Sequence, residues 1–243
     1  VFYFIHGGGF FFGRPESYGS VLKDLASYSN SNVAAIDYRL IPDNYIFSCL
    51  EDSLAGYLYI IGSTQKGGKG YKASDVVIGG DSAGGGITSM ITHFLRNTEQ
   101  AQPAAAIVWS PNFDLTDSQP SEYIMGDRCI IPGPLDKPIV SGNLVIRTKF
   151  WELPYSGASQ QLKQRIPMMD PDLTGLPPIL IMNGEYDTFR DSGVVYARRL
   201  AQQMSKPLNN QLPQVTVQIY QGQPHDFIIV PFSPFSDDSL KRA

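Results

Sequence analysis

The chain has 243 residues, 42% of them hydrophobic and 17% charged, a globular composition that excludes a disordered chain. With 19 basic and 23 acidic residues the net charge is -4, which excludes a strongly basic nucleic-acid binder. The two cysteines, Cys49 and Cys129, exclude a disulfide scaffold and a cysteine-only zinc site, and no run of about 18 apolar residues is available to span a membrane.

Val1–Ile5 (Val-Phe-Tyr-Phe-Ile) has the pattern of a buried strand. The chain opens directly in it, without an initiator Met, a signal peptide or a transit peptide, so a fragment with its true N-terminus upstream is expected. Compartment is then left open, with the cytoplasm as the default. Ser17–Ser29 is predicted as a helix, with Val21, Leu22 and Leu25 on one face. Val33–Asp37 is a second predicted strand. Apolar residues every three or four positions predict an amphipathic helix over Tyr45–Ile61. Lys66–Gly70 is a loop, Asp75–Gly79 a third strand, Ala83–Arg96 a helix and Ala104–Trp109 a fourth strand. From Pro111 to Pro178 the periodicity is weak and prolines and glycines are frequent. That stretch is too long for a plain loop and is predicted to be an inserted cap, residues 111–178, within a single α/β domain spanning 1–243. Ile179–Asn183 (strand), Ser192–Met204 (helix) and Val215–Tyr220 (strand) follow, and the tail after His225 is expected to form one more short helix.

Strands alternating with helices predict a mostly parallel sheet with helices on both faces. In such sheets reactive groups gather at the carboxyl ends of the strands.

The third strand runs into Gly80-Asp81-Ser82-Ala83-Gly84-Gly85, and a helix follows at once. This is G-x-S-x-G between strand and helix, the setting in which a serine on a sharp turn projects its hydroxyl into open space. Gly80 and Gly84 leave room for the tight turn, and the helix N-terminus brings positive dipole beside the serine. A glycine-rich turn with an incidental serine is the alternative. The first strand runs into His6-Gly7-Gly8-Gly9-Phe10. A glycine run can turn backbone N–H groups inward, as an acyl-transfer oxyanion requires. No Lys-Ser/Thr follows, so a P-loop is not indicated.

A serine nucleophile needs a base, and three histidines are available. His6 is placed to brace the glycine loop, and His93 lies in the helix about three turns beyond Ser82. His225, after the last strong strand, remains. The orienting acid is expected after a strand and before His225, and Asp187 in Asn183-Gly184-Glu185-Tyr186-Asp187 leads. Glu185 and Asp191 are rivals, and Asp226 is adjacent to the histidine but geometrically poor for that role.

Taken together, these segments resemble the hormone-sensitive-lipase-like family of α/β-hydrolases, the alpha/beta hydrolase fold-3 esterases and lipases. Asp37-Tyr38-Arg39-Leu40-Ile41-Pro42, Leu176-Pro177-Pro178, Tyr186-Asp187 with Arg190-Asp191, and His225-Asp226-Phe227 also match. The resemblance implies the α/β-hydrolase fold, with Ser82 as nucleophile, Asp187 as acid, His225 as base, and the N–H groups of Gly8, Gly9 and Ala83 as oxyanion hole. It gives the Asp37-Tyr38-Arg39 segment a structural reading. Thr188, Ser192 and Asp226 stand where the family often has Pro, Glu and Gly. It also implies that two strands and part of the cap lie upstream and that Val33–Asp37 becomes an exposed edge, so that the 243-residue chain is expected to behave poorly on its own.

The expected activity is hydrolysis of a small carboxylic ester by a serine esterase or lipase, with no metal and no organic cofactor. Phe10, Phe11 and Phe12 could wall an acyl or alcohol pocket or pack in the core, and Trp151 and Tyr155 are candidate lining residues from the cap. Two other readings are a non-catalytic small-ligand receptor of the same fold and an arylformamidase or amide hydrolase. Oligomeric state, acyl-chain length and natural substrate are left open.

Overall fold

The computed structural model describes residues 1–44, 47–114, 119–125, 140–141, 144–145, 166–203, 214–230 and 233–243. Its main sheet is built from β1 (Phe2–Ile5), β2 (Val33–Ile36), β3 (Val77–Asp81), β4 (Ala105–Trp109), β5 (Ile179–Gly184) and β6 (Val215–Tyr220). The strand order is β2-β1-β3-β4-β5-β6, and every pairing is parallel. The helices are α1 (Gly19–Ser29), α2 (Ser48–Ile61), α3 (Ser82–Asn97), the short α4 (Pro120–Ile124), α5 (Arg190–Gln203) and α6 (Pro234–Arg242).

Alternation along each strand makes the two cores. Tyr3, Ile5, Ile78, Ala106, Val108 and Ile181 point to one face and pack with Leu50 and Tyr57 of α2, Ile87 and Ile91 of α3, and Tyr196 and Leu200 of α5. Phe2, Phe4, Ile107, Trp109 and Met182 point to the other and pack with Val21 and Leu25 of α1 and Leu240 of α6. Each fully buried Ile, Leu or Phe contributes about 1.5–3 kcal/mol through its apolar area. The predicted helices on both faces are therefore observed.

Several boundaries differ from those the sequence predicts, most by one residue and the following by two. The third strand begins two residues later, because Ala73–Asp75 forms a 3-10 turn, and it continues through Gly80 and Asp81, which pair with Val108 and Trp109. The first predicted helix starts as a 3-10 turn over Pro15–Tyr18 before α1. α5 begins at Arg190 rather than Ser192. The predicted start of α2 at Tyr45 and the end of α5 at Met204 fall outside the described residues, as does most of the predicted cap. β2 lies at the edge of the sheet, its residues half-buried and paired with β1.

Where the excursion between β4 and β5 returns to the core, Asp170 is held by side chains of α3. His93 Nδ1 donates to Asp170 Oδ2 at 2.7 Å, and Arg96 reaches the same oxygen at 2.7 Å. His93 Nε2 lies 2.9 Å from the Tyr196 hydroxyl, so this histidine is committed to a structural network. Burial lowers its pKa, although Asp170 acts to raise it.

Candidate active site

The loops after β1, β3, β5 and β6 meet at the carboxyl edge of the sheet, as a parallel sheet requires. Ser82 sits where β3 passes into α3 and adopts φ 49°, the left-handed region that non-glycine residues rarely occupy. The turn tolerates no bulk beside it. A Cβ at Gly80 would lie 2.0 Å from the Ile5 carbonyl oxygen, and one at Gly84 would lie 2.0 Å from the same oxygen and 2.6 Å from that of His6. The two small residues of the motif thus let β1 run against the serine turn.

His225, in the loop after β6, brings Nε2 within 2.9 Å of Ser82 Oγ and Nδ1 within 2.9 Å of Asp187 Oδ1. The three side chains are buried. Asp187 follows β5 and is the best-held carboxylate of the site. It accepts from the Phe189 N–H at 2.9 Å and from Asn183 Nδ2 at 3.1 Å. Burial acts to raise its pKa, but the charge of His225 and hydrogen bonds from His225, Phe189 and Ser110 outweigh burial and hold it below the ordinary carboxylate value. Burial likewise acts to lower the pKa of His225, yet the negative charges of Asp226 and Asp187 and their hydrogen bonds hold it well above the ordinary imidazole value. Phe189 meets the His225 ring edge-on at 5.1 Å.

The rival acids have other partners. Glu185 Oε2 accepts the Gly222 N–H at 2.8 Å and supports the turn leading to His225. Asp191 pairs with Arg190 and accepts the Ser121 N–H at 3.0 Å, joining α4 to α5. Asp226 does not approach Nδ1; its Oδ2 lies 3.0 Å from Nε2, on the side of Ser82. Nothing in the residue order signals that contact.

The glycine loop after β1 is braced from three sides. His6 Nδ1 donates to the Gly7 carbonyl at 2.7 Å, and its ring stacks on Tyr38 at 4.1 Å. The Tyr38 hydroxyl donates to the His6 carbonyl at 2.8 Å, and Arg39 is anchored on Asp52 through Nη2 and Oδ1 at 2.8 Å. The Asp37-Tyr38-Arg39 segment is thereby accounted for as a support. Gly7 N–H donates to Asp81 Oδ1 at 2.9 Å, so the residue before the serine grips the loop directly. Gly8 has φ 112° and a Cβ there would lie 2.1 Å from the Phe12 carbonyl oxygen. Among the described residues, no backbone hydrogen bond from the Gly8, Gly9 or Ala83 N–H runs to another loop.

Phe10 is buried in the core beside Tyr38 and Ile41, Phe11 is partly buried against the same core, and Phe12 is exposed. Trp151 and Tyr155 lie outside the described residues. Among the described residues there is no group of three or more His, Cys, Asp or Glu suited to a metal ion, and no helix is long and apolar enough to cross a membrane. Sequence reasoning missed Tyr18, Ser110 and Asn183. Of these, Asn183 alone carried a signal, standing at the end of a strand four residues before Asp187.

Comparison with known proteins places this geometry in context. A family model described as alpha/beta hydrolase fold matches residues 2–229. The carboxylesterase NlhH of Mycobacterium tuberculosis is 28% identical over 87% of this chain and 64% of its own length. Lipase 2 of a Moraxella species is 26% identical over 93% of this chain and 54% of its own length. This chain thus spans less than two thirds of these relatives. Among solved structures, a hormone-sensitive lipase from a metagenome library superimposes with a TM-score of 0.79 at 27% identity, over 99% of this chain and 75% of that one. A mutant of the esterase E40 gives a TM-score of 0.81 at 25% identity, over 100% of this chain and 73% of that one.

Proposed function

The chain belongs to the alpha/beta hydrolase fold family, among its hormone-sensitive-lipase-like members, and on that premise we propose that it hydrolyses carboxylic esters through Ser82, His225 and Asp187. The observation that carries this reading is the unbroken line of contacts from Ser82 Oγ to His225 Nε2 and from His225 Nδ1 to Asp187 Oδ1, each 2.9 Å long. The relatives named as carboxylesterase and lipase support the substrate class.

Ser82 Oγ attacks the ester carbonyl carbon while its proton passes to His225 Nε2. The carbonyl oxygen becomes an oxyanion and is received by the N–H groups of Gly8, Gly9 and Ala83. The bond to the alcohol oxygen then breaks, and Nε2 returns its proton to that oxygen. Water adds to the acyl-serine with His225 again as base, and the acid leaves as Ser82 regains its proton. Asp187 keeps Nδ1 protonated and stabilises the imidazolium that forms in each half. Charge develops only at groups already fixed by the fold, so little reorganisation accompanies the reaction.

Ser82→Ala removes the nucleophile while leaving the turn small. Hydrolysis of short p-nitrophenyl esters is expected to fall by on the order of 10⁴-fold or more with an unchanged circular dichroism spectrum. Turnover retained by the folded variant would refute the assignment.

A further inference from the structure

His225 faces two carboxylates, one on each ring nitrogen. Asp187 Oδ1 is 2.9 Å from Nδ1, and Asp226 Oδ2 is 3.0 Å from Nε2, the atom that also reaches Ser82 Oγ at 2.9 Å. Asp226 turns back onto its neighbour because its backbone takes φ 53°, fixed by its N–H donating to Ser110 Oγ at 3.0 Å. Its carboxylate is buried, and Oδ1 has no hydrogen-bond partner among the described residues.

We propose that Asp226 is a positioning residue that competes with Ser82 for His225 Nε2 and sets the pH at which the base becomes available. The proposal rests on the reading of His225 as the general base. When His225 is protonated and Asp226 ionised, the imidazolium is clamped between Asp187 and Asp226, and its Nε2–H points to a carboxylate. In that state it cannot accept the Ser82 proton. Loss of the Nε2 proton to solvent frees the lone pair for Ser82. A second buried negative charge opposes that loss, so activity begins at a higher pH than a single orienting acid would set.

The charged and titratable groups around this pair come from four elements. Asp187 faces it from the loop after β5, Asp81 from the end of β3, Tyr18 from the 3-10 turn before α1, and Ser82 from the start of α3. Burial and the Asp187 charge push the Asp226 pKa up while His225 draws it down, and Asp81 feels Asp226 as a like charge. Asp187 and Asp226 are the two buried carboxyls that act on the imidazole, and replacing Asp226 shifts the balance at His225.

The test is the titration of His225 by ring-carbon NMR across the neutral and alkaline range, in the wild type and in Asp226→Asn and Asp226→Gly. Asn and Gly both tolerate the left-handed backbone at this position. Histidine signals are assigned by His6→Gln and His93→Gln. The wild-type His225 is expected to titrate above the ordinary imidazole range, and in both variants its midpoint falls by about 1–3 pH units, with the acid limb of kcat/KM on a short ester moving the same way. An unchanged midpoint in the folded variants would overturn the proposal. So would loss of the fold in both, which would make Asp226 a structural residue. The NMR midpoint needs no turnover: a shifted midpoint without ester hydrolysis leaves the proposal standing and removes the ester reading, and hydrolysis with an unmoved midpoint does the reverse.

Discussion

The hydroxyl of Tyr18 donates to Asp81 Oδ2 over 2.7 Å, tying the segment before α1 to the residue that immediately precedes Ser82. The Tyr18 hydroxyl oxygen in turn accepts the Gly7 N–H at 3.1 Å, and Asp81 Oδ1 accepts that N–H at 2.9 Å. Glycine loop and serine turn are thus joined through one buried carboxyl and one phenol. Phe4 packs on the Tyr18 ring at 5.4 Å and keeps the phenol in place. The position of the proposed oxyanion donors relative to Ser82 follows from these contacts as much as from the strands.

Tyr18→Phe keeps the ring and removes the hydroxyl. Asp81 then loses a donor in a dry site, a loss that costs about 1–3 kcal/mol of stability. The glycine loop loses a support on one side, so kcat on short esters is expected to fall more than KM changes. Urea unfolding and steady-state kinetics on the purified variant check both parts; wild-type values for both would show that the phenol holds nothing.

The glycines around Ser82 make a steric prediction. Gly80→Ala and Gly84→Ala each place a methyl group 2.0 Å from the Ile5 carbonyl oxygen, and relief requires moving β1 away from the serine turn. Each is expected to destabilise the protein by about 1–3 kcal/mol and to lower activity on esters. Gly19→Ala is the control, since a Cβ there meets nothing within 4 Å and the backbone is already helical. Its stability should be unchanged or rise by about 0.4–1 kcal/mol. Denaturant midpoints for the three variants decide the matter.

Asp81 predicts a pH dependence of stability. Burial, and then the Asp226 charge, push its pKa up to about 8, against the hydrogen bonds from Tyr18 and Gly7. A carboxyl whose folded pKa lies above its unfolded value near 3.8 favours the folded state most when protonated in both states. That contribution is full below the unfolded pKa and declines as pH rises through the window up to about 8. Asp81→Asn removes it. The urea midpoint of the wild type, relative to the variant, is expected to fall from mildly acid to alkaline pH. Parallel midpoints across that window would contradict the assignment of charge to Asp81.

Much of the sheet could be read from the chain because its signals are local. Strands such as Ile179–Gly184 are short apolar runs, and α3 begins at the serine of G-x-S-x-G itself. The expected residues Ser82, Asp187 and His225 come together because each follows a strand of one parallel sheet, and such strands share a carboxyl edge. The end of β3 was harder to read, since Gly80 has a turn-like composition but is required there by the approach of Ile5. The roles of Tyr18 and Asp226 were not legible at all. Tyr18 meets Asp81 across 63 positions of sequence, and Asp226 reaches Nε2 through a backbone angle that residue type alone does not reveal. Contacts made between loops of different strands carry no periodicity.

The most direct measurement of the central claim is covalent labelling by a fluorophosphonate, followed by mass spectrometry of the peptides. Phosphonylation on Ser82, lost when the protein is unfolded beforehand and strongly slowed in His225→Gln, is the predicted result. A folded protein that hydrolyses short esters yet carries the label on another residue, or none on Ser82, would contradict it.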